Sequence, residues 1–193
     1  MGIGMAAQEE DFASVLLTEA EIAERVEALA QEIAVQYADK RPLLIGILKG
    51  SIVFLADLMR KLSIPLEMDL ICASSYGCDS ETSGTVTILK DVSQDIRGRH
   101  VLIVEDIVDT GVTLRCLVDL LKERAPASLA IVALLSKPDR RRTHIDIDFL
   151  GFEIPDEFVV GYGLDFAEKY RYLPYVAVLK PEAYALSGDE NTP

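Results

Sequence analysis

Short apolar runs of strand length alternate along the chain with amphipathic segments, and this alternation constrains the fold more than any other feature. Strand-like runs occupy residues 42–48, 66–74, 84–90, 100–105, 128–135 and 145–152. Segments with the helical spacing of apolar residues follow two of these runs, at 51–62 and 112–124. The run at 42–48 is apolar throughout, which is typical of a buried strand in a parallel sheet covered by helices. The pattern therefore predicts an α/β fold with a mostly parallel, twisted sheet flanked by helices.

Helix starts can also be predicted from local signals. Thr18 and Glu21 have the spacing of a capping box, and apolar residues then recur at helical intervals. We expect a helix to begin there. Ser51 stands before the second amphipathic segment, where a serine side chain often caps the first turn. Residues 42–62 then form a strand followed by a helix.

Length and composition limit the number of domains and the kinds of partner. A chain of 193 residues, half of them hydrophobic, suits a single domain spanning 1–193. Its formal net charge of -13 argues against a nucleic-acid partner. No apolar run approaches the ~20 residues that cross a bilayer, so no membrane partner is expected. Cys72, Cys78 and Cys116 show no ligand spacing, and no signal sequence is evident, which predicts a cytoplasmic protein.

Three carboxylates and a phosphate-binding pattern follow one of the predicted strands. In VLIVEDIVDTGVTL, residues 101–114, the acids are Glu105, Asp106 and Asp109. The TGVT segment at 110–113 has the residues of a tight turn whose amides face an anion at a helix start. Acids repel phosphate, so sugar hydroxyls or a divalent metal should lie between them. The sequence predicts a ribose-phosphate site, because capping alone would not need three acids.

The segment 101–113 strongly resembles the phosphoribosyl-pyrophosphate motif of type I phosphoribosyltransferases. Four further segments, in the same order, resemble the hypoxanthine/guanine branch of that family: LKGS at 48–51, SSYG at 74–77, LLSKP at 134–138 and GFEIPDEFVVGYGLDFAEKYR at 151–171. The resemblance runs from about residue 42 onward. It implies transfer of the 5-phosphoribosyl group from phosphoribosyl pyrophosphate to hypoxanthine and/or guanine, with Mg2+ as cofactor. It also implies a small base-binding hood, formed by the N-terminal helix and the C-terminal segment.

The resemblance implies a role for each matching residue. Glu105 and Asp106 would bind the ribose hydroxyls and help hold the metal, and Asp109 would be the general base at purine N7. A cis peptide is expected before the lysine of the Lys-Gly pair. The remaining matches are Thr110, Gly111, Val112 and Thr113 at the 5-phosphate; Lys49, Gly50 and Arg171 at the pyrophosphate; Lys137, Phe158, Val159 and Asp165 at the base, Asp165 also as a metal ligand; and Ser75 and Tyr76 in a lid.

Several of these segments have plainer interpretations when taken alone. A Lys-Gly pair is commonly a solvated turn, a lysine after a strand is ordinarily exposed, and FVV at 158–160 reads as a core strand. The Ser- and Gly-rich segment 74–85 could be a simple connection, although its length favours a lid. The basic run at 140–142 is typical of a solvated surface. His100 and His144 stand in no ligand cluster, so we predict structural or exposed positions for both.

Two classes of function fit the family scaffold: an enzyme of purine salvage, and a regulatory protein that uses the fold to bind RNA. The acid excess and the presence of Asp109, Lys137 and Asp165 favour the enzyme. Transfer to orotate, adenine or uracil would need a different base-binding end, whereas xanthine is a closer alternative to hypoxanthine and guanine. Relatives of this type lead us to expect a homodimer or homotetramer.

Overall fold

The computed structural model describes residues 9–74 and 87–185. By the contacts between its residues, the chain divides into two compact units. The central unit contains the described residues 24–74 and 87–156, and the terminal unit contains 9–23 and 157–185. The prediction of a single domain stays a prediction. None of the helices within these described residues is long and apolar enough to cross a membrane.

Strands and helices alternate along the described residues. In chain order they are β1 Phe12–Leu17, α1 Glu19–Gln36, β2 Leu43–Leu48, α2 Ile52–Lys61, β3 Glu67–Ser74, β4 Thr87–Lys90, β5 His100–Val108, α3 Val112–Glu123, β6 Ser128–Ser136, β7 Phe149–Glu153, β8 Val159–Val160, β9 Val176–Leu179 and α4 Pro181–Ala185. Single 3-10 turns lie at Glu9–Asp11 and Pro138–Arg140. The predicted helices at 51–62 and 112–124 correspond to α2 and α3.

The central unit is built on a six-stranded sheet with the order β4-β3-β2-β5-β6-β7. The neighbours from β3 to β7 are parallel, and β4 alone among these strands runs antiparallel to its neighbour. The predicted, mostly parallel sheet is therefore confirmed. β5 lies between β2 and β6, so the carboxyl ends of these three strands meet at one edge, where ligands bind in open α/β sheets.

The core of the central unit explains why these segments fold as they do. α3 presents one apolar face to the sheet, and Leu114, Leu117, Val118 and Leu121 on that face are buried. They pack with apolar residues of β2, β5 and β6 in one cluster. Burying each such side chain contributes roughly 1.5–3 kcal/mol, so this face fixes α3 against the sheet. The start of α3, and the loop before it, are thereby held at the carboxyl edge.

The terminal unit contains a second, antiparallel sheet that the sequence had not predicted. Its order is β1-β9-β8, with Phe12 opposite Leu179 and Val160 opposite Ala177. The side chains of β1 are mostly exposed or half-buried, so the strand lacks the apolar run that identified the others. The Tyr170 hydroxyl donates to Asp11 at 2.7 Å, and burial followed by this bond raises the pKa of Tyr170 to about 12.

The predicted strand ends differ from the observed ones. β5 continues past residue 105 to Val108, because its pairing with β6 continues to Val108 opposite Ser136. Asp106 is therefore, like Glu105, a residue of the strand rather than of the following loop. β7 begins at Phe149 instead of 145. Just before the strand, the Asp148 carboxylate accepts the Ile131 N–H at 2.8 Å, so a side chain rather than a backbone carbonyl satisfies that amide.

The two predicted helix caps had different outcomes. The capping box is confirmed, since the Thr18 N–H donates to Glu21 at 2.8 Å and the Glu21 N–H donates to the Thr18 hydroxyl at 3.3 Å. The prediction of a Ser51 side-chain cap is wrong. Ser51 has helical backbone angles, and its hydroxyl donates back to the Ile47 carbonyl at 2.6 Å. A serine already inside the turn satisfies a strand-end carbonyl instead of a helix amide.

Candidate active site

The loop between β5 and α3 has the geometry of an anion site. Gly111 lies immediately before α3 and has φ of 80°, a left-handed conformation that favours glycine. The first amides of α3 lack intrahelical partners, as at any helix start, and the helix dipole favours a negative charge there. The Thr110 carbonyl accepts the N–H groups of Arg142 and Thr143 at 3.0 and 3.3 Å. The segment after β6 thus holds the loop in place.

A cavity of about 130 Å³ opens beside this loop. Its lining combines two acids with the loop and the helix start, and consists of Glu105, Ile107, Val108, Asp109, Thr110, Gly111, Thr113 and Leu114. The sequence predicted that most of these residues would act together. Hydroxyls and backbone amides suit a phosphate, while the acids suit hydroxyl donors. The cavity can therefore receive a ligand that carries both.

Glu105 brings an unpartnered carboxylate oxygen to this cavity. The residue as a whole is half-buried, but its Oε2 atom is buried and has no hydrogen-bond partner among the described residues. Burial, and then the neighbouring Asp106 carboxylate, raise the pKa of Glu105 well above its ordinary value. A buried acceptor without a partner is costly, so the site is suited to a ligand that donates hydrogen bonds or to a cation.

The turn between β2 and α2 comes directly against the acidic strand end. A Cβ added at Gly50 would overlap the Asp106 carboxylate, so only glycine allows this close approach. The Asp106 Oδ1 atom also accepts the Ile107 N–H at 2.9 Å. The peptide bond between Leu48 and Lys49 is cis, as the resemblance implies. The structure thus brings the turn that contains Gly50 to Asp106, although more than fifty residues separate the two segments.

Asp109 is held by two successive arginines. The Arg140 Nε atom donates to the Asp109 Oδ1 atom at 3.0 Å, and Arg141 donates to the Asp109 carbonyl at 3.1 Å. Arg141 also donates to the Ser136 hydroxyl at 2.7 Å. Burial lowers the pKa of the Arg141 guanidinium, although nearby Asp109 opposes that shift. Two arginines that the sequence assigned to a solvated surface therefore contact the predicted general base.

Lys137 is buried in the structure, with only 7% of its surface exposed. The plainer interpretation, an exposed lysine after a strand, is therefore wrong. Its ammonium nitrogen lies 3.8 Å from the Asp156 Oδ1 atom, and the backbone N–H of Lys137 donates to the Val108 carbonyl at 3.0 Å. A charge this far from water usually has a partner or a function, and the ion pair with Asp156 is long.

Within the terminal unit, Phe158 forms an aromatic platform. Its side chain is unusually exposed for a phenylalanine, at 41%. The Tyr184 ring stacks on it with the centroids 5.1 Å apart, and Phe166 meets it edge-on at 5.5 Å. Val159 is buried in β8, and Val160 belongs to the core of this unit, as FVV taken alone predicted. An exposed, supported ring can stack on a flat heterocycle.

Asp165 and Arg171, also in the terminal unit, contact each other. The Arg171 Nη2 atom lies 2.7 Å from the Asp165 Oδ1 atom, and Arg171 also donates to the Gly163 carbonyl at 2.8 Å. The second oxygen of Asp165 accepts the Glu168 N–H at 2.9 Å. The Nε atom of Arg171 is buried without a hydrogen-bond partner among the described residues. A donor left in this way is available to an anionic ligand.

The residues present fit a magnesium ion that is bound mainly through its substrate. Among residues 9–74 and 87–185, no group of three or more His, Cys, Asp or Glu side chains could hold a metal alone. Mg2+ usually binds through one or two carboxylates together with waters and substrate phosphates. Glu105 and Asp106 supply such carboxylates in the central unit. The Glu105 Oε2 atom, which has no hydrogen-bond partner among the described residues, is available to the ion or to its waters.

Some predicted residues lie elsewhere or outside the description. Ser75 and Tyr76 lie outside the described residues, so the lid stays a prediction. His100 bonds to the Ser128 hydroxyl at 2.7 Å and His144 is exposed beside Asp146, which confirms the predicted structural and exposed positions. Sequence reasoning missed Arg140 and Arg141. Their position just after β6, the parallel neighbour of β5, was a usable signal because neighbouring parallel strands end at one edge.

Comparison with known proteins agrees with the geometry. A family model described as a phosphoribosyl transferase domain matches residues 14–167. The chain is 50% identical over 174 residues to the hypoxanthine-guanine phosphoribosyltransferase of Bacillus subtilis, covering 90% of this chain and 97% of that protein. It is 51% identical over 164 residues to the hypoxanthine phosphoribosyltransferase of Salmonella typhimurium, covering 84% and 92%.

A solved structure supports the same similarity. The hypoxanthine phosphoribosyltransferase of Staphylococcus aureus superposes with a TM-score of 0.90 at 44% sequence identity. The match covers 94% of this chain and 98% of the Staphylococcus protein. Identity at this level, over nearly the full length of both chains, extends the likeness from the phosphate motif to the whole fold.

Proposed function

The chain belongs to the phosphoribosyl transferase family, and we propose that it transfers the 5-phosphoribosyl group from phosphoribosyl pyrophosphate to hypoxanthine and/or guanine. The products are IMP or GMP and pyrophosphate, which makes the protein an enzyme of purine salvage. Its relatives from Bacillus subtilis and Salmonella typhimurium bear the corresponding names.

One observation carries most of this proposal: the close approach of Gly50 to the Asp106 carboxylate. It sets the Lys49–Gly50 turn beside the acidic end of β5. Residues 110–113, which we call the phosphate loop, follow that strand end along the chain. Phosphoribosyl pyrophosphate carries a 5-phosphate, two free hydroxyls and a pyrophosphate on one sugar. A site with amides, carboxylates and a lysine turn at one edge of the sheet offers a partner for each group.

The reaction is assigned to the loop between β5 and α3. The amides of residues 110–113 hold the 5-phosphate, and Glu105 accepts hydrogen bonds from the ribose hydroxyls. As purine N9 forms a bond to the anomeric carbon, the bond from that carbon to the pyrophosphate oxygen breaks. The leaving pyrophosphate takes the electron pair. Asp109 takes the proton from purine N7 and offsets positive charge developing on the ribosyl group.

Purine recognition is assigned to Lys137, Phe158 and Val159. Lys137 donates to the 6-oxo oxygen. Its ammonium group is buried and its ion pair with Asp156 is long, so its N–H donors are available to the purine. Phe158 stacks on the purine, and Val159 reads the purine edge through its backbone groups. A 6-amino purine offers a donor instead of an acceptor at position 6, so adenine should be rejected.

We assign the pyrophosphate to Lys49, Gly50 and Arg171, whose buried Nε atom lacks a partner among the described residues. Asp165 is assigned as a metal ligand near the pyrophosphate and contributes to the base end as well. Bound Mg2+ supplies positive charge that offsets the phosphate charges of the substrate and of the leaving group. Glu105 and Asp106 help to hold it, and Ser75 and Tyr76 close over the reacting atoms to exclude water.

The wider setting is proposed from the family and the composition. We expect a homodimer or homotetramer that acts in the cytoplasm, where unpaired cysteines stay reduced. The net charge of -13 disfavours a nucleic-acid partner. The alternative of an RNA-binding regulator would be favoured by a broad basic face, and the acid excess of the chain disfavours it.

Steady-state assays of the purified chain test the proposal. Hypoxanthine, guanine, xanthine and adenine are each supplied with phosphoribosyl pyrophosphate and Mg2+, and nucleotide and pyrophosphate are measured together. We expect equal amounts of both products with hypoxanthine, guanine or both, and none with adenine, while the rate with xanthine decides whether xanthine is a further acceptor. If only xanthine gave product, the acceptor would be xanthine instead of hypoxanthine or guanine. Absence of product from all four, together with RNA binding, would favour the regulator.

A further inference from the structure

We propose that Arg140 and Asp156 position the two groups that handle the purine, joining Asp109 to Lys137 in one chain of alternating charge. The inference rests on the proposed function, because it concerns the proposed general base and the proposed reader of the 6-oxo group. The chain runs Asp109, Arg140, Asp156, Lys137, and all four residues belong to the central unit. Neither Arg140 nor Asp156 was assigned a role from the sequence.

At one end, Arg140 fixes the orientation of the Asp109 carboxylate. Its Nε atom donates to the Asp109 Oδ1 atom at 3.0 Å. A carboxylate has two oxygens, so one can hold the arginine while the other accepts a proton. A general base within reach of a third group that orients it is a recurring arrangement in active sites. Arg141 fixes the backbone of the same residue through its carbonyl, so Arg140 acts on the side chain.

At the other end, Asp156 is shared between Arg140 and Lys137. Its Oδ1 atom lies 3.6 Å from the Arg140 Nη1 atom and 3.8 Å from the Lys137 Nζ atom. These separations are those of ion pairs rather than short hydrogen bonds. Asp156 therefore keeps the Lys137 ammonium in place while leaving its N–H donors available to a purine. The guanidinium of Arg140 is a planar fork, so one group faces both acids.

The pairs that Arg140 makes with Asp109 and Asp156 should contribute little to folding, unlike the pair of the buried Lys137. The side chains of Asp109, Arg140 and Asp156 are 40%, 45% and 49% exposed, and exposed ion pairs are typically worth less than about 1 kcal/mol. The molecule provides a matched pair elsewhere. On α3, the Arg115 Nε atom lies 2.9 Å from the Asp119 carboxylate, with exposures of 46% and 50%. The two pairs differ in location, not in chemistry.

Arg140 variants test the Asp109 end of the chain. We expect Arg140→Ala to lower the single-turnover rate about tenfold, because a small misplacement of a reacting group is costly. The KM for phosphoribosyl pyrophosphate and the melting temperature should stay close to those of the wild type. Arg140→Lys keeps the charge without the planar fork, so its single-turnover rate should lie between those of the wild type and Arg140→Ala. Equal rates for Arg140→Ala and the control Arg115→Ala would overturn the proposal, as would an Arg140→Lys rate as low as that of Arg140→Ala.

Asp156 variants test the Lys137 end. Asp156→Ala should raise the KM for hypoxanthine roughly fivefold, the scale of one ion pair, and leave the KM for phosphoribosyl pyrophosphate unchanged. Because the residues act as one chain, the double variant with Arg140→Ala should lose less kcat/KM for hypoxanthine than the product of the two single losses in kcat/KM. Losses that multiply would overturn the linkage, as would an unchanged KM for hypoxanthine. Asp119→Ala controls for the loss of an exposed carboxylate that is paired with an arginine.

The wild-type assay separates this inference from the proposed function. If the unaltered chain forms no nucleotide from hypoxanthine or guanine, the proposed function fails and no positioning role for these residues survives. If the unaltered chain is active and Arg140→Ala matches Arg115→Ala, only the positioning role is lost. Active wild type with the predicted split between rate and KM supports both.

Discussion

At the scale of single residues, the end of β5 gives two carboxylates different surroundings. Glu105 carries a buried oxygen without a partner, and burial raises its pKa. Asp109 is 40% exposed and bonded to an arginine. Pairs of acids in unlike environments are common where one binds and the other moves a proton. The contrast suits the separate roles of ribose contact and general base.

Glu105→Gln should stabilise the ligand-free protein at neutral pH. A carboxyl whose pKa is raised by folding contributes stability below its unfolded pKa, near 4.3, and that stability is lost as pH rises through the folded value. Glutamine does not ionise, so the variant should not lose this stability as the pH rises. Denaturant unfolding should therefore show little difference between variant and wild type at pH 4 and a gain on the order of 1 kcal/mol at pH 8. An equal gain in stability at both pH values would show that the ionisation of Glu105 is not its cause.

Asp109→Asn should lower the single-turnover rate by roughly ten- to a thousandfold, because the lost interaction is made as the N7 proton leaves. Affinity for IMP should change little, since the nucleotide is bound through other groups. Single-turnover measurement is needed because slow product release would mask the defect in kcat. A wild-type single-turnover rate with both purines would leave Asp109 as a structural residue of the loop.

Residues adjacent in sequence were the easiest to predict. Glu105, Asp109 and the phosphate loop line one cavity, and a single short stretch encodes them. The contacts of Arg140 and Asp156 could not be predicted, because they depend on the path of the chain after β6. A short basic run has the same composition whether it faces water or a carboxylate.

At the scale of elements, the site exists because β2 and β5 are parallel neighbours. Their carboxyl ends lie side by side, so the turn after one meets the acids of the other. The apolar runs predicted this sheet, since burial on both faces leaves a strong sequence signal. They did not predict β1 pairing with β9. Phe12 and Leu179 are opposite in that sheet but lie at the two ends of the chain, and β1 has exposed side chains.

Gly50→Ala should impair phosphoribosyl pyrophosphate binding more than folding. The new methyl group would displace the Asp106 carboxylate and break its bond to the Ile107 amide. We expect kcat/KM for phosphoribosyl pyrophosphate to fall at least about tenfold, equivalent to 1.4 kcal/mol. Gly98→Ala is the control, because Gly98 has φ of 69° in open space and its replacement should cost stability alone. Similar kinetic losses in both variants would contradict the prediction.

At the scale of the whole molecule, the proposed roles are divided between the two units. The central unit carries the phosphate loop, the acids and Lys137, whereas the terminal unit carries Phe158, Asp165 and Arg171. Each unit has its own apolar core and its own sheet. The proposed roles can therefore be tested by substitutions confined to one unit at a time.

Activity should require Mg2+, and Asp165→Ala should weaken the binding of phosphoribosyl pyrophosphate more than the binding of the free purine. The variant removes a proposed metal ligand and the ion pair with Arg171. Initial-rate measurements with each substrate varied in turn give the two KM values. Glu168→Ala is a matched control, since Glu168 lies farther from the same arginine, at 3.6 Å, and is 66% exposed. Undiminished turnover in excess chelator would refute the metal requirement.

The crystal structure of the chain with IMP bound tests the central claim most directly, because that claim assigns each group of the nucleotide to a named part of the site. We predict that the 5-phosphate lies on the backbone amides of residues 110–113 and that the ribose hydroxyls contact Glu105 or Asp106. Ordered nucleotide with its phosphate at any other position would contradict the account.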